Sequence, residues 1–311
     1  MAELEAVRRA REILGPQLEE CRICPWECGV DRRAGELGRC GLPAAPVVSG
    51  YEPHFGEEAC LVGEGGSGAV FFTGCNLFCV FCQTWEISRE RRGKEITVEE
   101  LAGIFLELAE RGCENLNLVT PTPQIPAILA ALERALEAGL RLPVVYNTGG
   151  YERVETLRAL EGVVDLYLPD FKVWNPETAE RLLGARDYPQ RAREAIKEMW
   201  RQVDGLRLDE RGVAQRGLIV RHLVLPENLA QTDEILRFLA REISPAVRVN
   251  IMGHYHPEGQ AFEIKPINRP LTKKEWHNAL SEAQRAGLFN LDRTHWPLLP
   301  LILLDNSGDG E

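Results

Sequence analysis

All nine cysteines of this 311-residue chain lie within its first 113 positions, at 21, 24, 28, 40, 60, 75, 79, 82 and 113. An odd count cannot pair fully within one chain. The start, Met1-Ala2-Glu3-Leu4-Glu5-Ala6-Val7, has neither the basic opening nor the apolar stretch of a signal peptide. No run approaches the roughly 18 apolar residues of a membrane span. The expected compartment is therefore the reducing cytoplasm, where structural disulfides are rare. Seven of the nine cysteines form two tight groups, and such clustering reads as metal or cluster ligation.

The rest of the composition is that of a globular protein. With 44% hydrophobic and 27% charged residues, a disordered or collagen-like chain is excluded. The length suffices to bury a large core without disulfides. The balance of 36 basic against 47 acidic residues gives a net charge of −11. That charge disfavours bulk nucleic acid and anionic membranes as partners.

Leu4, Val7, Ala10, Ile13 and Leu14 recur at helical spacing and predict an N-terminal helix ending near Gly15-Pro16. Residues 21–68, rich in Cys, Gly and Pro, read as an irregular ligand-bound region with little core of its own. From residue 69 onward strands and helices alternate. Strands are expected at 69–73, 116–119, 144–146, 164–168, 218–224 and 247–252. Helices are expected at 97–111, 125–138, 152–160, 176–183, 192–203, 231–242 and 273–286, the first with a capping-box pattern of Thr97 and Glu100. Six β/α units imply an α/β fold with parallel strands, either a barrel short of the usual eight units or an open doubly wound sheet. In both, the working site lies at the carboxyl ends of the strands. The loops after residues 73, 119, 146, 168, 224 and 252 should then face one pocket. The apolar tail 296–304 is expected to dock on this body, and 306–311 to fray.

Directly after the first of these strands comes Gly74-Cys75-Asn76-Leu77-Phe78-Cys79-Val80-Phe81-Cys82, a C-x3-C-x2-C loop. Three soft thiolates on one loop suit an iron–sulfur cluster, or zinc with a fourth ligand from elsewhere. A three-cysteine set leaves one iron of a cubane open to a substrate or cofactor. Upstream, Cys21, Cys24, Cys28 and Cys40 give C-x2-C-x3-C-x11-C. Four thiolates make a closed site for zinc or a saturated second cluster, and spacing does not separate the two. Cys113 reads as packed core, and Cys60 has no partner pattern.

The C-x3-C-x-Φ-C loop, with Phe81 as its aromatic, resembles the radical S-adenosylmethionine (radical SAM) superfamily. Residues 65–270 resemble most closely the pyruvate formate-lyase activating enzymes and a set of their relatives. The resemblance implies a partial (β/α)6 barrel over 65–270, preceded by an N-terminal helix and Cys-rich metal-binding cap over 1–64. A C-terminal helix and docking tail would follow over 271–311. It further implies that Cys75, Cys79 and Cys82 hold a [4Fe–4S] cluster whose fourth iron chelates SAM. One electron would then cleave SAM to methionine and a 5′-deoxyadenosyl radical, which takes a hydrogen from the substrate.

The same resemblance implies cofactor-binding positions. Relatives hold the SAM amino group with a Gly-Gly-Glu-type segment, where this chain has Val119-Thr120-Pro121-Thr122-Pro123-Gln124 and no acid. Thr120 and Thr122 oxygens are the candidates there. Asn147 and Thr148 match an Asn-Gly-containing loop near the ribose and carboxylate, and Asp170 and Lys172 match an Asp-x-Lys segment. His256 matches a Tyr-His segment whose histidine lies near the adenine. Candidate substrate contacts are His54, Glu57 and Glu58, on a loop expected to close over the pocket, Arg221 or His222, of which strand alternation turns one toward the barrel interior, and His254, two residues from His256 and expected on its side.

The implied partners are an electron donor such as a flavodoxin or ferredoxin and a protein or peptide substrate, with a small-molecule substrate as the alternative. A different class remains open on the cysteines alone: a non-catalytic metal–thiolate protein, either an electron carrier or a zinc-stabilised scaffold. Polar residues on every strand-end loop discriminate between them, since a carrier has no need of such a pocket.

Overall fold

A computed structural model describes residues 2–292. The expected docking tail at 296–304 and frayed end at 306–311 lie outside the described residues.

The strands, in chain order, are β1 (Val47–His54), β2 (Ser67–Phe72), β3 (Lys94–Glu95), β4 (Asn115–Val119), β5 (Val144–Thr148), β6 (Leu166–Pro169), β7 (Arg207–Leu208), β8 (Ala214–Leu223) and β9 (Arg248–Met252). The helices are α1 (Leu4–Leu14), α2 (Ala59–Val62), α3 (Trp85–Ser88), α4 (Val98–Glu110), α5 (Ile125–Glu137), α6 (Val154–Ala159), α7 (Pro176–Leu183), α8 (Tyr188–Val203), α9 (Thr232–Phe238) and α10 (Lys273–Ala286). The strand order is β3-β1-β2-β4-β5-β6-β8-β7, with β9 also paired to β8. Strands β2, β4, β5, β6, β8 and β9 run parallel, and these are the six the sequence predicts. The sheet is a partial barrel.

Local chemistry explains why the helices start and stop where they do. Thr97 and Glu100 form the reciprocal capping box expected for α4, and Thr272 with Glu275 repeats it on α10. Asn175 caps α7 by accepting from the Thr178 N–H at 2.9 Å, Pro176 sits in its first turn, and Gly184 ends it in the left-handed conformation.

The region read as irregular, 21–68, contains an eight-residue strand. β1 runs antiparallel to β2, from Val48 opposite Phe72 to His54 opposite Ser67. The chain then turns inward. On β4, β5, β6 and β8, one set of alternate residues (Leu118, Tyr146, Tyr167, Val220) joins the large core beneath the helices. The other set faces the barrel interior. There Val145, Leu166, Leu168 and Ile219 pack on Cys60 and Leu61 of α2 in a small core of their own. Helix α2 thus plugs the barrel from inside.

Leu61 is fully buried in that plug. Leu61→Ala is expected to cost about 2–5 kcal/mol of stability, because nothing else can collapse into the barrel interior. Denaturant unfolding measures it, and a loss below about 1 kcal/mol would show that α2 is not packed there.

Candidate functional site

The three-cysteine loop begins at Gly74, which takes φ +76 and turns the chain off the end of β2. Two backbone bonds pin the loop to the last turn of α7: Phe78 N–H to Leu183 O and Val80 N–H to Leu182 O, both 2.9 Å. Cys75, Cys79 and Cys82 all line a cavity of about 820 Å3 at the carboxyl ends of the strands. That volume is in the range of small-ligand sites. Phe81 also lines it and packs edge-on against Tyr255, with ring centroids 6.1 Å apart.

These residues fit an iron–sulfur cluster. The Leu77 N–H points at Cys75 Sγ at 3.3 Å, a bond that supports a ligating thiolate. Burial pushes the Cys75 thiol up to about 12 and the Cys79 thiol higher still, so a cation must replace the protons for either to ionise. Among the described residues no three His, Cys, Asp or Glu side chains are arranged to hold a single metal ion. A cubane makes a different demand, since its cysteines sit at separate corners and need not converge on one point.

Beyond the cysteines the cavity wall is polar and charge-paired. Arg221 donates to Asp170 Oδ1 and Glu57 Oε2, each at 3.2 Å, and to Asn147 Oδ1. Lys172 Nζ donates to Asp170 Oδ2 at 2.6 Å. Burial alone would raise the Asp170 carboxyl, but Lys172 and Arg221 outweigh it and hold the group below the usual range. Thr120 lines the cavity with φ +61, a conformation that costs a β-branched residue, and its N–H donates to Asn147 O at 2.8 Å. Gly150, at φ +81, is required next to it: a Cβ there would lie 2.2 Å from Asp170 O.

Several predicted residues stand elsewhere. Thr122 is buried outside the cavity and donates to Glu152 Oε1 at 2.6 Å. The Thr148 hydroxyl is also committed to Glu152, although Thr148 borders the cavity. Glu152 is fully buried, and Tyr146 OH is its third partner at 3.3 Å. No sequence signal singled it out, although the missing acid at 119–124 was reason to look for one nearby.

His222 does not face the interior. It is fully buried between Phe171 O (2.7 Å) and Thr232 Oγ1 (2.9 Å), and burial lowers it to about 4. Its neighbour Arg221 takes the inward position, as alternation requires. His254 lines the cavity, whereas His256 is exposed outside it, beside Glu258. His54, Glu57 and Glu58 do line the cavity, His54 from the end of β1 and the two glutamates from the turn that leads into the plug, instead of from a loop closing over it.

The first cysteine group lies beside the second. Cys24 is an electrostatic neighbour of Cys40 and Cys21, and Cys40 of Cys21 and Cys28. Trp26 Nε1 donates to Asn76 O at 2.6 Å, and Asn76 Nδ2 donates to Tyr151 O at 2.6 Å. One cysteine loop is thereby stapled to the other. Cys113 is buried in the main core and Cys60 in the plug.

The radical SAM superfamily model matches residues 69–239, more than half of the chain. This chain belongs to the radical SAM superfamily. The uncharacterized protein MJ0674 of Methanocaldococcus jannaschii is 34% identical over 291 residues, covering 90% of this chain and 78% of that one. Among solved structures, SuiB of Streptococcus suis bound to its precursor peptide SuiA aligns with a TM-score of 0.48 at 13% identity. That alignment covers 70% of this chain and 46% of SuiB. HydG, a maturase of the [FeFe]-hydrogenase, aligns with a TM-score of 0.46 at 15% identity over 70% of this chain and 49% of HydG. The chain thus spans about half the length of either neighbour. Membership of the superfamily implies a [4Fe–4S] cluster and SAM as cofactors. Among the described residues no helix is long and apolar enough to cross a membrane.

Burial raises the Glu152 carboxyl from 4.5 to about 7, against the opposing hydrogen bonds from Thr122, Thr148 and Tyr146. A folded-state value above the unfolded one contributes stability that is full below pH 4.5 and is lost as pH rises through about 7. The stability of the wild type relative to Glu152→Gln should therefore fall by about 3 kcal/mol across that window. Urea unfolding at a series of pH values checks it, and a flat difference would mean that Glu152 ionises normally.

Proposed function

We propose that the 820 Å3 cavity is the chamber of a radical SAM enzyme, with Cys75, Cys79 and Cys82 as the cluster ligands. The observation that carries this is their position on the wall of one cavity with Asn147, Asp170 and Lys172. When bound and reduced, the cluster supplies the electron that cleaves SAM to methionine and the 5′-deoxyadenosyl radical, which abstracts a hydrogen from the substrate.

The chain's own residues bind and orient. Thr120 and the backbone of Thr148 and Gly149 border the space for the amino acid end of SAM. Asn147 and Asp170 offer oxygens to hydroxyl groups and the ammonium. Lys172 and Arg221 balance the carboxylates and keep the wall neutral enough to bury. His54, Glu57, Glu58 and His254 are left for the substrate. His256, Thr122 and the His222 ring are not assigned to the chamber.

The activating-enzyme resemblance favours a protein or peptide substrate, with a small molecule as the alternative. An acidic electron carrier of the flavodoxin or ferredoxin kind suits the loop's outer edge. There the Arg39 guanidinium lies 3.6 Å from the Trp26 ring centroid, and that of Arg89 lies 4.3 Å from Phe78. For Cys21, Cys24, Cys28 and Cys40 we infer a second metal site; no three of them converge on a single ion, so an iron–sulfur cluster with cysteines at separate corners fits better there than zinc. The Arg39 N–H at 3.4 Å from Cys28 Sγ supports ligation there.

Anaerobic reconstitution followed by dithionite reduction should yield 5′-deoxyadenosine and methionine from SAM. Replacing any one of Cys75, Cys79 or Cys82 by Ala should abolish both products. A fully loaded cluster that leaves SAM intact would sink the proposal. The triple Cys75/Cys79/Cys82→Ala variant should still retain zinc, or iron with sulfide, by elemental analysis. A metal-free variant would remove the second site.

A further inference from the structure

Arg32 is 3% exposed, and among the described residues it is the only buried lysine or arginine. Its guanidinium donates to three carbonyls: from Nε to Leu42 O at 3.2 Å, from Nη1 to Pro123 O at 2.6 Å, and from Nη2 to Pro43 O. These dipoles satisfy the N–H groups but carry no net charge. Among the described residues no carboxylate pairs with it. Arg221, by contrast, has both Asp170 and Glu57 within reach. A buried cation is costly unless an anion stands beside it.

What stands beside Arg32 is the first cysteine group. Leu42 and Pro43 follow directly on Cys40-Gly41, so the turn that carries this cysteine wraps the guanidinium. Burial raises the Cys40 thiol, and Arg32 is the strongest of the influences that oppose it. Three of the four sulfurs also face a backbone N–H: Cys24 that of Trp26, Cys28 that of Arg39 at 3.4 Å, and Cys40 that of Leu42. Such donors favour the thiolate. Four thiolates outweigh the charge of a zinc ion, and that of a cubane core as well, so either centre is net anionic. That is the counter-charge Arg32 lacks. Arg91 also packs on this turn, where a Cβ on Gly41 would lie 2.2 Å from its Cζ, but Arg91 is exposed and screened by water.

We propose that Arg32 is the counter-cation of the first cysteine group, which it holds ready for an anionic metal–thiolate centre. This rests on the metal reading of Cys21, Cys24, Cys28 and Cys40 and deepens it by assigning the centre's charge and the residue that balances it. Arg32 touches no substrate and acts through the cysteines, as a positioning residue. In an iron–sulfur centre reduction adds negative charge, and the guanidinium favours that form. Its bond to Pro123 O anchors the same guanidinium on the loop after β4, whose Thr120 borders the chamber. Cap and barrel wall thus meet at one buried charge.

The test uses the full-length Cys75/Cys79/Cys82→Ala chain, reconstituted anaerobically, so that the first group is the site observed. Competition with a graded series of chelator concentrations reads its metal affinity. A redox titration followed by electron paramagnetic resonance reads its potential where iron and sulfide are bound. Arg32→Gln keeps hydrogen-bond donors and removes the charge, and should weaken metal binding about tenfold. It should also lower the potential of an iron–sulfur centre by about 59 mV, the one-electron equivalent of tenfold. Arg32→Lys keeps the charge with different donors and should stay within about threefold of the parent in affinity. Arg33→Gln removes the neighbouring, exposed charge and should change neither quantity, which separates a local effect from net charge. Unchanged affinity in Arg32→Gln would overturn the counter-cation. Equal losses in Arg32→Gln and Arg32→Lys would overturn it too, since that pattern belongs to a structural hydrogen bond. Far-UV circular dichroism checks folding, and should Arg32→Gln not fold, Arg32→Lys decides alone: a loss of about tenfold there sinks the proposal. A parent chain that binds no metal fails the metal reading and the counter-cation with it. A parent that binds metal, with affinity unmoved in Arg32→Gln, sinks the role of Arg32 alone.

Discussion

A guanidinium inside a barrel must find its counter-charges there, and Arg221 organises this chain around that requirement. Its partners come from β5 (Asn147), from the end of β6 (Asp170) and from the plug (Glu57). Each partner is held in turn. Asp170 is bound by Lys172, and Glu57 receives the amide of Asn117 on β4. Removing one of its charged members would leave a buried charge undercompensated, which costs more than the ion pair itself contributes. The network therefore ties β4, β5, β6, β8 and the plug together near the carboxyl ends. This is the level at which the cysteine loop leaves β2.

The plug makes that arrangement workable. An open partial barrel has a wide interior, and water filling it would screen every pair in the network. Helix α2 closes the lower half with Cys60 and Leu61 and leaves only the upper half as cavity. Because Glu57 and Glu58 immediately precede α2, the residues that seal the barrel also present its floor chemistry. Packing below and polarity above are set by adjacent positions in one short segment.

The legible parts of the sequence were those where one signal dominates. Apolar runs and caps placed the six parallel strands and their helices, and helices α7 and α10 have the expected limits because a cap or proline marks one end and glycine the other. The three-cysteine spacing located the chamber. Strand β1 escaped because Val47–His54 contains Gly50 and Pro53, which read as loop, and its partner β2 follows only after the plug. The four residues of α2 are too short for any periodicity to register. Alternation left open which of Arg221 and His222 points inward, since only the partners decide: carboxylates inside for the arginine, Phe171 O and Thr232 outside for the histidine. His254 and His256 do share an exposed side, with Tyr255 buried between them, but of the two it is His254 that borders the cavity.

Glu152 shows why a missing family residue need not be replaced in place. The segment after β4 has no acid, and its Thr122 turns away from the cavity to meet a carboxyl from the β5 loop. Thr148 does the same from its own strand. Both hydroxyls thus secure the backbone of the two loops that border the cavity, behind the wall. A carboxyl so placed can tolerate protonation, because three hydroxyl groups can each donate to it or accept from it. The carboxyl of Glu152 thus stands behind the wall, where its hydroxyl partners fix the two loops that border the cavity.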